Sequence, residues 1–304
     1  MKFVEIVKDT NIDFIGFRNK AFIVSGILCI LGIFAFIMVS IGRANMSVDF
    51  TGGVQIHARF DEKVDIGTLR GVLSVGGIKD AQIQEISGTK EFLIKLKGSN
   101  VEGQDIQKKV EAIINKEMAG KGFQILASNI VGATVGKVLK RNAMIAMAIS
   151  FLCIIIYIAW RFTFVFGVAA TIATFHDVLA LLGIFYLFNL EMNILFITAL
   201  LTIAGYSLTD TVVVFDRVRE NMTRMKSKKD IAEIINKSIN GVLSRTLITS
   251  LTTLLAVGAI LFLGGKTLFD FSFALFVGVL IGTYSSIFVA CPLVFIWRKR
   301  VRSG

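Results

Sequence analysis

The sequence predicts a polytopic α-helical membrane protein, with six transmembrane helices and one α+β ferredoxin-like extracytoplasmic domain between the first and the second. Three observations predict it. The 304 residues are 54% hydrophobic and only 18% charged, with a mean hydropathy of +0.72, a balance found in membrane-embedded chains rather than soluble domains. Six apolar runs are each long enough to cross roughly 30 Å of hydrocarbon at about 1.5 Å per residue. The first two runs are separated by a polar segment, residues 41–138, in which strand-like and helix-like patterns alternate.

Residues 1–20 form a cytoplasmic N-terminal segment carrying Lys2, Lys8, Arg18 and Lys20. The first apolar run, 21–40, is longer than a signal-peptide core and lacks an Ala-x-Ala end, so it reads as a retained anchor. In the polar segment Gly53–Phe60 alternates as a strand, and Val64–Val75 has helical spacing. Ala81–Ser87 and Glu91–Lys97 form a hairpin around Gly88 and Thr89. Val101–Met118 reads as an amphipathic helix and Phe123–Ala127 as a last strand. The order βαββαβ is the ferredoxin-like arrangement.

Residues 139–296 then form a five-helix transmembrane domain, with spans near 142–160, 162–188, 192–215, 246–264 and 269–296. A basic cytoplasmic loop, 216–245, carries Arg217, Arg219, Arg224, Lys226, Lys228, Lys229 and Lys237. Within it Asp230 and Glu233 have the spacing of a capping box, ahead of Ile231, Ile234, Ile235 and Ile239. That pattern predicts a short amphipathic helix on the membrane surface. Residues 297–304 are a basic cytoplasmic tail.

The net charge of +11 does not point to nucleic acid, because the lysines and arginines cluster beside apolar runs. The positive-inside rule accounts for them. It places both termini in the cytoplasm and the large domain outside, since loops 188–191 and 264–268 carry only Glu191 and Lys266. Lys137, Lys140 and Arg141 run against this, but they belong to a long translocated segment, where the rule is weaker. Cys29, Cys153 and Cys291 all fall in apolar runs, so neither a disulfide framework nor a metal-ligand spacing is present.

Chemistry concentrates in Gly205–Asn221, GYSLTDTVVVFDRVREN, which puts Asp210 inside a spanning run. A carboxylate at a helix centre costs about 2.5–3.5 kcal/mol on insertion, so it faces a partner or an ion path. Counting from the outer loops puts Asp210 and Arg245 at a common depth of about 28 Å. Two readings stand: an Asp–Arg pair that lowers the cost of both charges, or an arginine that reaches to the headgroups. Thr249, Thr252 and Thr253 continue from Arg245 along one helical face, either as a water-bearing relay or bonded back to their own carbonyls. Thr283 and Ser286 form a weaker polar face.

His176 and Asp177 are further relay candidates. The same counting places Asp177 level with Thr202, some 12 Å from Asp210 in depth, too far for a shared-proton dyad. Asp216 reads as a solvated partner of Arg217 and Arg219, and His57 as a half-exposed structural histidine. Gly278 and Gly282 permit close helix approach, within the chain or against another subunit.

Several stretches together resemble the SecD/SecF family of the bacterial Sec protein-export machinery. They are Val48–Val54 (VDFTGGV), Val131–Leu139 (VGATVGKVL), Tyr157–Phe162 (YIAWRF), His176-Asp177, Ala204–Asn221 and Ser244–Leu255 (SRTLITSLTTLL). They follow the family's order and cover nearly the whole chain. Ala133, where a proline is common, and Asn142, where a glycine is common, depart from it.

The resemblance implies a subunit of the resistance–nodulation–division superfamily in the bacterial cytoplasmic membrane. It also implies a SecD-like partner subunit, the SecYEG channel and a translocating preprotein as partners, besides membrane lipids. Export would be driven by the proton motive force, with protons as coupling ion and no cofactor. The proton-carrying Asp and its Arg partner map onto Asp210 and Arg245. An exporter of hydrophobic small molecules or lipids is the alternative, although such proteins carry a double set of spans. A proton-independent scaffold also remains open. An intramembrane aspartyl protease using Asp177 and Asp210 is disfavoured by their depth and by the lack of a Gly-x-Gly-Asp motif, so no enzyme is expected.

Overall fold

The structure is a computed structural model that describes residues 10–78, 81–86, 89–97, 103–224 and 230–303. Gly88 of the expected turn, Lys2 and Lys8, and the loop lysines Lys226, Lys228 and Lys229 lie outside the described residues. In chain order the elements are α1 (Arg18–Ser40), α2 (Val48–Thr51), β1 (Gly53–Arg59), α3 (Ile66–Val75), β2 (Gln82–Glu85), β3 (Glu91–Lys97) and α4 (Gly103–Glu117). Then follow β4 (Gln124–Val131), α5 (Ala133–Arg161), α6 (Phe164–Leu187), α7 (Ile194–Arg224), α8 (Ile231–Leu263), α9 (Gly265–Ser285), a π-helical turn (Ser286–Ala290) and α10 (Cys291–Ser303).

The chain divides into two compact units. One comprises residues 46–146 together with 191–194; the other holds the remaining helices. In the first, four strands form an antiparallel sheet in the order β2-β3-β1-β4, the ferredoxin-like arrangement. Val54, Ile56 and Ala58 alternate along β1 and are fully buried, as period two requires. They face Leu69 and Leu73 of α3 and Val110 and Ile114 of α4, each pair four residues apart on one helical stripe. Asp65 starts α3 by accepting a hydrogen bond from Thr68 N at 3.1 Å. β4 runs to Val131, beyond the expected end at Ala127, because Ser128 and Asn129 stay paired in register with Ile56 and Gln55 of β1.

Gly52 and Gly53 stand at φ +73° and +135° between α2 and β1. A Cβ at Gly53 would lie 2.0 Å from the Leu96 carbonyl oxygen, and one at Gly52 2.7 Å from Ala133 Cα. Glycine is therefore required at both places.

Among the described residues six helical segments are long and apolar enough to cross a membrane. Several exceed the expected spans. α5 begins at Ala133 rather than near 142, directly after Gly132. α7 continues past 215 to Arg224. The expected surface helix after Asp230 is not separate: it is the first third of α8. Its Ile231, Ile235 and Ile239 are buried in one core cluster with Phe215 and Val218 of α7. Asp230 holds the N-cap position, but its side chain makes no capping hydrogen bond. The amphipathic stripe seeks protein, not headgroups, because the extended end of α7 offers an apolar face to cover.

The last span is a helix interrupted by the π turn, just ahead of Pro292, the chain's single proline. A proline ring clashes with the carbonyl four residues earlier, and a π turn is one way to absorb that conflict. Gly278 and Gly282 pack within the chain. Their Cβ positions would lie 2.5 Å from Ile203 Cγ1 and 3.0 Å from Ser207 Cβ of α7. Gly32 and Gly183 give α1 and α6 an equally close crossing.

Candidate functional site

α6, α7 and α9 bring together a sealed polar cluster around Asp177, which has no solvent exposure. His176 Nδ1 lies 2.9 Å from Asp177 Oδ1. Ser207 of α7 donates to Asp177 Oδ2, and Ser285 of α9 donates to the same oxygen at 2.7 Å. The close α7–α9 approach at Gly282 is what lets two short serine side chains converge on one carboxylate. His176 Nε2 is buried without a hydrogen-bond partner, and the Tyr284 ring centroid lies 6.4 Å from the imidazole.

This geometry corrects the depth expected for Asp177. It stands level with Ser207, not Thr202, and Ser207 is only three residues (about 4.5 Å of rise) from Asp210. The residue count failed because it took Phe188 and Glu191 as one outer level, which the Ser207–Asp177 hydrogen bond shows they are not. Glu191, taken from sequence as the exposed marker of that loop, is in fact buried in an ion pair with Lys95 of β3. Ile194 N, at the start of α7, donates to Asp49 Oδ2 at 3.2 Å.

Asp210 itself is only 7% exposed, and its Oδ2 has no hydrogen-bond partner. Among the described residues no ion pair joins this carboxylate to Arg245 on α8. The Asp–Arg contact of the first reading is therefore not closed here. Arg245 is exposed, as are Thr249 and Thr252 on the same helix. On α7 Thr202, Gly205 and Thr209 are exposed too, and nothing lies within 4 Å of a Cβ built on Gly205.

The threonines take the local option. Thr249 Oγ1 donates to Arg245 O, and Thr253 Oγ1 to Thr249 O, each at 2.9 Å. Ser250 and Thr283 bond across α8 and α9 at 2.7 Å, while Ser286 bonds back to Thr283 O. Tyr206 Oη and Thr246 Oγ1 are buried without partners. Reading from sequence missed Ser207, Ser285, Tyr206 and Thr246. Only the position of Ser207 and Tyr206, three and four residues before Asp210, could have flagged them.

Elsewhere Asp216 pairs first with Arg161 of α5, at 2.5 Å, and Arg219 is more distant at 3.7 Å. His57 bonds Glu91 at 2.9 Å on the sheet, a structural contact. Among the described residues no group of three or more His, Cys, Asp or Glu could hold a metal ion.

A family model described as protein export membrane protein SecD/SecF, C-terminal, matches residues 110–300. The chain is 48% identical over 297 residues to the protein translocase subunit SecF of Thermodesulfovibrio yellowstonii, covering 97% of this chain and 98% of that one. It is 43% identical over 262 residues to the protein translocase subunit SecDF of Thermus thermophilus, covering 84% of this chain but 35% of the relative. The crystal structure of SecDF, a translocon-associated membrane protein from that organism, superposes with a TM-score of 0.82 at 40% identity. The match covers 99% of this chain and 40% of that one.

Proposed function

The chain belongs to the SecD/SecF family of protein-export membrane proteins, and from that premise we propose that it is the SecF-type subunit of a bacterial preprotein translocase. In this reading it is a multi-pass protein of the cytoplasmic membrane with both termini inside. It acts with a SecD-like subunit beside the SecYEG channel to draw preproteins outward, using the proton motive force and no cofactor.

The observation that carries the reading is the Asp210 carboxylate, buried in a spanning helix with its Oδ2 unpartnered among the described residues, and with Arg245 on the next helix. Burial favours the neutral acid, whereas approach of the guanidinium favours the anion. A small helix movement that opens the Asp210–Arg245 contact therefore loads a proton, and one that closes it releases the proton. One proton crossing ~150 mV releases roughly 3.5 kcal/mol, enough to bias a two-state equilibrium by a few hundredfold. Asp177 keeps its acceptor atoms occupied and serves to fix α6, α7 and α9 one turn away.

The SecD-like partner is supported by two features. A SecDF relative joins this region to a longer chain of which it spans about a third. The exposed row Thr202, Gly205, Thr209 on α7, with Arg245 and Thr249 on α8, has the small and polar composition of a helix interface rather than a lipid face. The protease alternative loses its depth objection, but Asp177 is sealed from any substrate and held by three donors.

The test is preprotein export into vesicles carrying the chain with its partner subunit, against an imposed pH gradient. Wild type gains export from the gradient, and Asp210→Asn, still inserted at normal abundance, does not. Equal gains for both proteins would support a proton-independent scaffold instead.

A further inference from the structure

On the surface formed by α5, α6 and α10, two cavities adjoin, of about 430 Å³ and about 420 Å³. Both fall within the size range, about 300–1,000 Å³, of sites that enclose small ligands. They share Val168 and Ile172 of α6, so they lie side by side along that stripe of the helix. Their walls are aliphatic, with Ile155 of α5 and Ile296 of α10 on the flanks. One end is different: there the lining ends in Trp297 and Arg300.

That end has the marks of a membrane–water boundary. Trp297 packs edge-on against Phe164 at 5.7 Å, and Trp160, at the end of α5, is 84% exposed. Indoles gather at the headgroup level, where one part of the ring is wet and the other apolar. Asp216 is already taken by Arg161 and Arg219. Arg298 lies over the Phe166 ring at 5.9 Å, with its Nε buried and unpartnered. Arg300 has no acidic partner among the described residues.

We propose that the two cavities together are a binding site for an anionic phospholipid, its acyl chains along Ile155, Val168, Ile172 and Ile296 and its phosphate against Arg300 and Arg298. A guanidinium above hydrocarbon walls matches both halves of such a molecule. Small residues (Ala159, Gly167, Ala169 and Thr171) also line the walls, so it is the guanidinium at one end, not the wall composition, that favours a lipid over a helix.

The test is native mass spectrometry of the full chain released from detergent, with phosphatidylglycerol, phosphatidylethanolamine or inorganic phosphate added at equal concentration. Wild type retains phosphatidylglycerol in preference to phosphatidylethanolamine, and phosphate alone neither binds nor displaces it. Arg300→Gln lowers phosphatidylglycerol retention about fivefold, the factor expected for one basic residue at an anionic surface, and leaves phosphatidylethanolamine unchanged. Val168→Trp, which fills the space where the two cavities meet, lowers retention of both lipids without shifting the unfolding midpoint. A preference for phosphatidylglycerol that survives both variants overturns the assignment, as does displacement by free phosphate. A second protein copy lost on Val168→Trp would likewise overturn it, by showing a protein occupant.

Discussion

Ser207 of α7 donates a hydrogen bond to the Asp177 carboxylate of α6, three residues before Asp210 on the same helix. Two acidic side chains therefore stand about one turn apart in the bundle in opposite conditions. Asp177 is held by His176, Ser207 and Ser285, whereas Asp210 Oδ2 has no hydrogen-bond partner among the described residues. Their substitutions should separate on stability. Asp177→Asn puts an amide where two serine hydroxyls and an imidazole expect a carboxylate, at a cost of about 1–2 kcal/mol. Asp210→Asn removes an unpaired buried acid and should leave the thermal midpoint in detergent unchanged or slightly higher. A fall for Asp210→Asn as large as that for Asp177→Asn would show Asp210 to be structural.

Arg245 needs both charge and shape. With no ion pair formed in this state, its work lies in the approach to Asp210, and a planar guanidinium can meet a carboxylate through two parallel bonds. Arg245→Lys keeps the charge but not the fork, and should retain a fraction of gradient-driven export. Arg245→Gln should retain none, at equal abundance in the membrane. Equal export from the two variants would show that charge alone has no part.

Much of this architecture was legible in the chain because membrane and sheet periodicities are strong signals. The six apolar runs, the alternating residues of Gly53–Arg59 and the order of the outer strands all rest on spacing that water or lipid enforces. What was not legible depends on levels between helices. Counting Asp177 from Phe188 and α7 from Glu191 misplaced the two against each other, since Glu191 is held by Lys95 rather than marking a boundary. The isoleucines after Asp230 showed a correct stripe but the wrong surface, because what covers a stripe is a tertiary fact. Ser207 and Ser285 were invisible as a pair, being 78 residues apart and joined only through the Gly282 crossing.

The Lys95–Glu191 pair is about as buried as the core around it, with both residues 8% exposed. Glu191 Oε1 also lacks a partner. Removing one charge from such a pair leaves the other stranded, which costs about 3–5 kcal/mol, whereas replacing both with apolar groups is near neutral. Glu191→Gln alone should therefore speed amide exchange throughout β1 and β3 of the full-length protein. The double variant Lys95→Met with Glu191→Leu should restore most of the protection. Additive losses in the double variant would mean that the two side chains act independently.

Acid should loosen the same sheet through a different carboxylate. Arg59 of β1 donates two hydrogen bonds to Glu91 of β3 at 3.1 and 2.5 Å, and His57 adds a contact at 2.9 Å. The Arg59 bonds, together with that of His57, hold Glu91 below its ordinary value of 4.5 despite partial burial. A carboxylate lowered on folding stabilises the fold fully above the unfolded value, and that contribution disappears as pH falls through the lowered one. Exchange protection of amides across the β1–β3 register should thus be flat from neutrality down to about pH 5. Below the ordinary glutamate range it should decline. In Arg59→Gln the neutral-pH protection starts lower and declines less, because the bond that protonation would break is already gone. An Arg59→Gln profile parallel to wild type would place the acid sensitivity in some other carboxylate.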